Sequence, residues 1–516
     1  MIGRRAFLSG SALLGPALLA QSAAAQTVTP TAAPAAAPAR PRFSYVETRG
    51  APSPAMPLET RAFAAHAVKV QFADLDEATR KKAKRRILDL FGCALGGVHA
   101  SGNAALVRML QAQRGPQEAS VIGYRARLPA AEAAMANAII SRSYDYEVMT
   151  VVVGDRLIGS HNSPTTCFTA LALAERARLS GADFLTALVV GDDIAARMLA
   201  ASGLDLGMGW DASSVFTAIA AAAIGARLVG ATEEQAQDAL GLAVDMVCGT
   251  TQSVWDGAPG WKFVGGASAR NGIFAAQLAK TGEWPGIRDA LRAPYALYGQ
   301  FTPGLVDPPA LIADLGAKFY GEEYFKPYPS CAATHMMHEC AFQLREAHHP
   351  APEDIRSVEV RIPGFVLSTA LAQAFEPGRD PHTVANFNIR YQSATGLLRG
   401  PIRLEHYAPE AINAPEIAAL IGKLKLAALR EGETGIVIDV AMRDGRVLTQ
   451  RHSGTPMRNP AIRASTDAEI LEKFMGQAAF SNAVTPQTAR QIAERIDSIE
   501  RERDIRSLVS LMRGRA

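Results

Sequence analysis

Residues Val215 to Leu228 carry six alanines and a glycine in fourteen positions. The run is too short for a membrane span of ~20 residues, and Arg227 interrupts it. Small side chains of this kind suit close helix–helix approach, so the stretch belongs at the centre of a dense helical bundle. Its surroundings agree. Asp74 and Glu77 form a capping-box-like start, followed by Ala83, Ile87, Leu90, Phe91, Ala94 and Leu95 at helical spacing, and Gly96-Gly97 closes the segment. Ser180 opens another helix through Phe184, Leu185, Leu188 and Val189, and Thr232 with Gln235 boxes the start of a third. From about residue 58 to 300 the spacing predicts helix. Gly265-Gly266 lacks both the GxGxxG spacing and a preceding strand, so no phosphate-cradling loop is expected.

The texture changes after about residue 320. Val358, Val360 and Ile362 alternate as a strand. Ile436, Ile438, Val440 and Met442 alternate again, and Asp444-Gly445 turns the chain into Val447 and Thr449. Helices return at Thr466, boxed by Glu469, and at Thr485, with Pro486 at the first helical position. The expected fold is therefore mainly α. A large all-helical domain, residues 58–321 and 461–516, carries an inserted α+β lid domain, residues 322–460. A chain of 516 residues is long enough for such a division. Ligands often bind at the seam between such units.

Residues 1–25 read as a twin-arginine-type signal peptide. Arg4-Arg5-Ala6-Phe7-Leu8 precedes a modest apolar run to Ala20, and Ala23-Ala24-Ala25 supplies a small-residue cleavage site. This predicts a periplasmic protein that meets the twin-arginine export machinery and has no membrane attachment after signal cleavage. Residues 26–57 are rich in Ala and Pro without periodicity and read as a linker. Cleavage removes two of 53 basic residues and no acidic one, leaving 51 against 50. With no basic block in a near-neutral chain, nucleic acid is not expected as a partner. The five cysteines, Cys93, Cys167, Cys248, Cys331 and Cys340, show no CxxC and no even framework; the first three read as buried thiols.

Residues 326–335, Lys-Pro-Tyr-Pro-Ser-Cys-Ala-Ala-Thr-His, narrow the function most. Two prolines fix the backbone just ahead of an apolar helical run, which places Lys326 on a rigid corner. A basic side chain has no macrodipole motive at the positive end of a helix, so Lys326 points to an anionic ligand group such as a carboxylate. By itself it also fits a surface lysine beside a tight turn. Other polar sets fall into order along the chain. Asp145-Tyr146-Glu147 follows the Ala-rich helix from Ala130 to Ile140, and His161 precedes the helix that runs through Leu171. Trp261-Lys262 precedes Gly265-Gly266, and Phe387-Asn388-Ile389-Arg390-Tyr391 leads into Leu397-Leu398-Arg399-Gly400.

Together these stretches resemble the MmgE/PrpD family, which includes 2-methylcitrate dehydratase, cis-aconitate decarboxylase and iminodisuccinate epimerase. The resemblance spans about residues 60 to 500. It implies a helical domain plus an α+β lid, a homodimer, and a site between the domains that needs no cofactor and no metal. The implied substrates are small di- or tricarboxylates, and the implied chemistry starts with proton removal next to a carboxylate. By position, Asp145, His161 and Tyr391 match catalytic residues of the family, while Lys262, Lys326 and His335 match substrate-binding ones. The sequence departs from the pattern at Glu147, Val148 and Met149, at about six extra residues before His161, and at Trp210, where many members carry histidine. A wider, more apolar pocket is expected from those changes.

Chemistry assigns roles to these residues. An imidazole titrates near working pH, so His161 is the expected general base or acid, though a helix-start histidine can also simply bond backbone. Asp145 is expected to orient that ring or take the proton itself. Lys262 and Lys326 are expected to bind carboxylates and stabilise developing negative charge. Tyr391 is expected either to donate a proton to a leaving hydroxyl or to pack as a lid aromatic. His335, His338 and Glu339 do not form HExxH and are not expected to hold metal. The expected reaction is dehydration of a hydroxy acid. Epimerisation or decarboxylation of a related acid, and non-catalytic carboxylate binding, are the alternatives.

Overall fold

Helix boundaries follow from local capping chemistry. In the computed structural model, which describes residues 50–154, 156–204, 208–453 and 465–514, the first half of the chain is a succession of helices. They are α1 (Leu58–Lys69), α2 (Glu77–Gly96), α3 (Asn103–Ala112), α4 (Ala130–Ser141), α5 (Ser163–Ala177) and α6 (Gly181–Ala201). There follow α7 (Ala212–Leu228), α8 (Glu233–Val244), the short α9 (Gln252–Trp255) and α10 (Gly260–Lys280). The signal peptide expected over residues 1–25, and the expected linker up to residue 49, lie outside the described residues. Ser180 caps α6, and Thr232 with Gln235 makes the box that starts α8. The start of α2 differs from expectation by two residues. Asp76 is its cap, accepting from the Thr79 amide at 2.7 Å, while Asp74 closes a separate 3-10 turn over Phe72–Asp74.

The alanine-rich run forms α7, which packs against α5, α6, α8 and α10. Its alanines leave no room for larger side chains on their neighbours. A Cβ built on Gly272 of α10 would lie 2.4 Å from the Ala221 Cβ and 2.7 Å from the Ala218 carbonyl oxygen. At such a crossing only glycine on one helix and alanine on the other allow the backbones to touch. Around this seam, Phe91 stacks on Phe168 and Phe184 in the main core. Among the described residues no helix is long and apolar enough to cross a membrane.

The all-helical expectation for residues 58–300 misses four strands: β1 (Ala119–Ser120), β2 (Arg127–Leu128), β3 (Met149–Val153) and β4 (Arg156–Ile158). The residues Met-Thr-Val-Val-Val of β3 suit a pleated surface, but five residues are too few to show a period. Strand β3 pairs antiparallel with β4, Val151 opposite Ile158. It also pairs antiparallel with β5 (Glu322–Tyr324), Met149 opposite Tyr324 and Val151 opposite Glu322. Helix α11 (Leu297–Phe301) lies between the two halves in sequence.

Beyond β5 a second core forms. It is built by α12 (His335–His348), β6 (Ile355–Ile362), α13 (Pro381–Phe387), α14 (Ile389–Arg399), α15 (Pro409–Ile412), α16 (Pro415–Ile421), β7 (Leu424–Ala428), β8 (Ile436–Met442) and β9 (Val447–His452). The sheet order is β7-β6-β8-β9, with β6 and β7 parallel and the other pairs antiparallel. The alternating residues read from sequence, Val358, Val360, Ile362, Ile438 and Val440, are buried in this core with Met337 and Cys340 of α12 and Leu397 of α14. The Asp444-Gly445 turn joins β8 to β9, with Gly445 at φ +93°. The chain then returns to the first core through α17 (Asp467–Ser481), α18 (Pro486–Asp497) and α19 (Arg506–Val509). Helix α17 packs on α2, with Phe474 and Gln477 set against Gly92 and Gly96. Cys93, Cys167 and Cys340 are buried; Cys248, expected to be buried, is half-buried, as is Cys331.

Candidate active site

The three-stranded sheet β4-β3-β5 explains how distant residues meet. Strand β3 begins two residues after Glu147, β4 ends three residues before His161, and β5 ends two residues before Lys326. Because β3 is antiparallel to both neighbours, its start lies beside both of their ends. One end of the sheet therefore receives Asp145 and Glu147, His161, and Lys326. The residues that separate Met149 from His161 are the β3–β4 hairpin itself, which returns the chain to its starting point.

Asp145 sits in the left-handed region at φ +46°, a conformation that aspartate tolerates better than most residues. Its carboxylate lies 2.7 Å from the Lys326 ammonium, which also donates to the Asp145 carbonyl oxygen at 2.7 Å. His161 Nδ1 lies 2.8 Å from Glu147 Oε1 and 3.8 Å from Asp145 Oδ1. Arg142 Nε reaches the same Glu147 oxygen at 3.1 Å, and its guanidinium lies over the Trp261 ring. Arg142, Asp145, Glu147 and Lys326 are buried, whereas the His161 side chain keeps 22% exposure. Of these five groups, the imidazole is the one that solvent reaches.

The charges around Glu147 are arranged to keep its carboxylate ionised. Burial pushes the Glu147 carboxyl up, but Arg142, the His161 hydrogen bond and Lys326 together more than offset it and hold it well below the usual range. A carboxylate on Nδ1 fixes the proton there and leaves Nε2 as the basic nitrogen. Asp145, Glu147 and His161 bring three ligand atoms within 4.8 Å of one another, which invites a metal reading. Lys326 and Arg142, however, already sit directly on the two carboxylates, so little negative charge is left for a divalent ion.

The other predicted residues lie elsewhere. Lys262 donates to the Ser101 carbonyl at 2.8 Å and to Asn103 Oδ1 at 3.1 Å. It lines a cavity of about 1160 Å³ with Trp255, Phe263, Asp380 and Asn388. Burial lowers it to about 8, partly offset by Asp380. Lys326 lies on a second cavity of about 670 Å³ with Tyr146, Tyr324 and Lys473. Tyr391 is buried in the second core, stacked on Phe375, and its hydroxyl donates to the His406 carbonyl. Burial raises it to about 12. His335 is buried edge-on against Tyr328, with Nε2 3.2 Å from the Ser330 carbonyl oxygen. Burial and the Lys326 charge hold its ring well below the ordinary histidine value. Ion pairs thus join Asp145 with His161 and Lys326, while Lys262 and Tyr391 bond other partners and His335 meets Lys326 through its charge.

Two partners were missed from sequence. Glu147 stood out only as a departure from the family pattern, yet it is the group that holds His161. Arg142, directly after α4, carried no motif at all. The expectation of a more apolar pocket is also corrected. Val148 is buried in the main core with its amide bonded to Asp89, and Trp210 packs edge-on against Phe301. What surrounds His161 is charged.

Residues 61–306 match the MmgE/PrpD N-terminal domain, and residues 328–499 match the MmgE/PrpD C-terminal domain. The chain belongs to the MmgE/PrpD family. Among its MmgE/PrpD relatives is a cis-aconitate decarboxylase-like protein of Aspergillus oryzae, 26% identical over 473 residues, covering 86% of this chain and 94% of that protein. Cis-aconitate decarboxylase of Mus musculus is 24% identical over 481 residues, covering 88% and 93%. Cis-aconitate decarboxylase of Aspergillus terreus is 28% identical over 275 residues, covering 51% and 55%. The first two similarities, which cover most of both chains, support a lyase-like activity at the level of the MmgE/PrpD family.

Proposed function

We propose that this protein is a lyase that moves a proton at the carbon next to a carboxylate in a small di- or tricarboxylate. The observation that carries this reading is the solvent-reached His161 ring, bonded at 2.8 Å to a buried carboxylate that Arg142 keeps ionised. In this reading His161 Nε2 takes the proton, and the Glu147 carboxylate stabilises the imidazolium that forms. The C–H electron pair becomes an enediolate, and an ammonium group, that of Lys262 or that of Lys326, stabilises the negative charge and holds a substrate carboxylate. In dehydration the electron pair then forms a C=C bond while the adjacent C–O bond breaks. The hydroxyl leaves as water with a proton supplied by the imidazolium.

Decarboxylation is the second reading, and the names of the relatives favour it. There the C–CO₂ bond breaks first, releasing CO₂, and a His161 ring that enters the cycle protonated gives its proton to the carbon that keeps the electron pair. In both readings the α+β unit serves as a lid. Export through the twin-arginine route and assembly as a homodimer belong to the same proposal; they rest on Arg4-Arg5 and on the family resemblance. The test is incubation with 2-methylcitrate, cis-aconitate and related acids in deuterated water, followed by NMR. Deuterium at the carbon beside a carboxylate, with loss of water or CO₂, is expected. No exchange and no product from any acid in the panel would overturn the reading.

A further inference from the structure

We infer that Glu322 is a positioning residue that sets the distance between His161 and Glu147. Glu322 is buried on β5, with its backbone paired opposite Val151 of β3. Its carboxylate accepts three hydrogen bonds from the turn that carries His161. Ser160 Oγ donates at 2.6 Å, the Asn162 amide at 2.6 Å and the Ser163 amide at 2.9 Å. Both sequence neighbours of His161 are thus bonded to one carboxylate. Two of the donors are free amides at the positive end of α5, where a carboxylate is favoured.

The consequence is geometric. The register of β5 against β3 locates the start of β3 and, two residues earlier, Glu147. The Glu322 side chain, leaving that same strand, locates the turn that holds His161. One short strand therefore supports both ends of the 2.8 Å contact between Glu147 and His161. Two residues past the end of β5, Lys326 grips Asp145. A glutamine at position 322 would keep the shape but present an amide NH₂ toward backbone N–H donors, losing acceptor capacity for at least one of the three. The turn would then relax, and the ring would lose its fixed alignment on Glu147.

The activity arm of the test rests on the lyase reading, so a second readout is chosen that needs no substrate. In wild-type protein labelled with ¹⁵N histidine, the His161 ring is expected to show a protonated Nδ1 and an unprotonated Nε2. In Glu322→Gln those two signals are expected to move toward each other as the tautomer preference is lost. With a substrate in hand, kcat is expected to fall roughly 10- to 100-fold while KM stays within about threefold, as misplacement of a general base predicts. Ser160→Ala removes only the hydroxyl bond and serves if Glu322→Gln does not fold; a smaller shift of the same two signals is expected. A folded Glu322→Gln protein with wild-type ring signals overturns the inference, as does a folded Ser160→Ala protein with wild-type ring signals where Glu322→Gln does not fold. If the ring signals shift but the wild-type protein transforms no acid, the lyase reading fails and the positioning role stands.

Discussion

The ammonium of Lys326 makes two bonds to a single residue, 2.7 Å to the carboxylate of Asp145 and 2.7 Å to its backbone carbonyl oxygen. A lysine that sequence marks as an anion binder thus holds an aspartate in a left-handed backbone conformation. Both groups are buried, so each is the other's compensation for leaving water.

Lys326→Met is therefore expected to strand the Asp145 carboxylate in the interior. Removing one partner of a buried pair costs about 3–5 kcal/mol. Chemical denaturation of wild-type and variant protein should show that loss, and Lys326→Met, Asp145→Asn together should recover part of it. A single variant as stable as wild type would mean that water reaches Asp145.

His161→Ala is expected to behave in the opposite way. The ring is part-exposed and its removal leaves Glu147 paired with Arg142. Turnover should disappear while the melting temperature stays within a few degrees of wild type. Normal activity in this variant would reject His161 as the catalyst.

Glu147→Gln tests the acid limb of stability. The Glu147 carboxyl lies below its ordinary value of 4.5 in the folded protein, against the opposing effect of burial, because Arg142, His161 and Lys326 favour its charge. A group depressed in this way contributes stability that is complete above the unfolded value and is lost as pH falls below it. Melting temperature measured from pH 3 to 7 should fall more gently toward acid in Glu147→Gln than in wild type. Parallel acid limbs would remove Glu147 from the account.

Lys262 sets an alkaline dependence. Burial lowers it from 10.5 to about 8, so it is charged below about 8 and neutral above. Calorimetric binding of a small dicarboxylate is expected to weaken as pH rises through 8, and Lys262→Met should flatten that profile. The stability sign is the reverse. Between about 8 and 10.5 the unfolded chain holds a proton that the folded one has lost, so Lys262 makes the folded state relatively more stable as pH rises across that window. An affinity that does not change between pH 7 and 9 would show that Lys262 does not meet the anion.

Local chemistry was legible in the chain. The boxes at Thr232–Gln235 and Thr466–Glu469 form as expected, because a cap needs only residues three apart. The alternation of β6 and β8 was equally plain, since each strand is long enough to show its period and buries one face in the second core. The alanine run of α7 announced close packing. Asp145, His161 and Lys326 were also named from sequence, each from its own stretch.

Tertiary structure alone decided what those three residues do. The interval before His161 looks like a spacing mismatch along the chain, but in space it is the β3–β4 hairpin that returns His161 to Glu147. Strand β5 arrives from far down the sequence to complete the sheet and brings both Glu322 and Lys326. No local propensity encodes such a pairing. Its register comes from burying the whole chain at once, where a one-residue slip would turn every side chain of a strand to the wrong face.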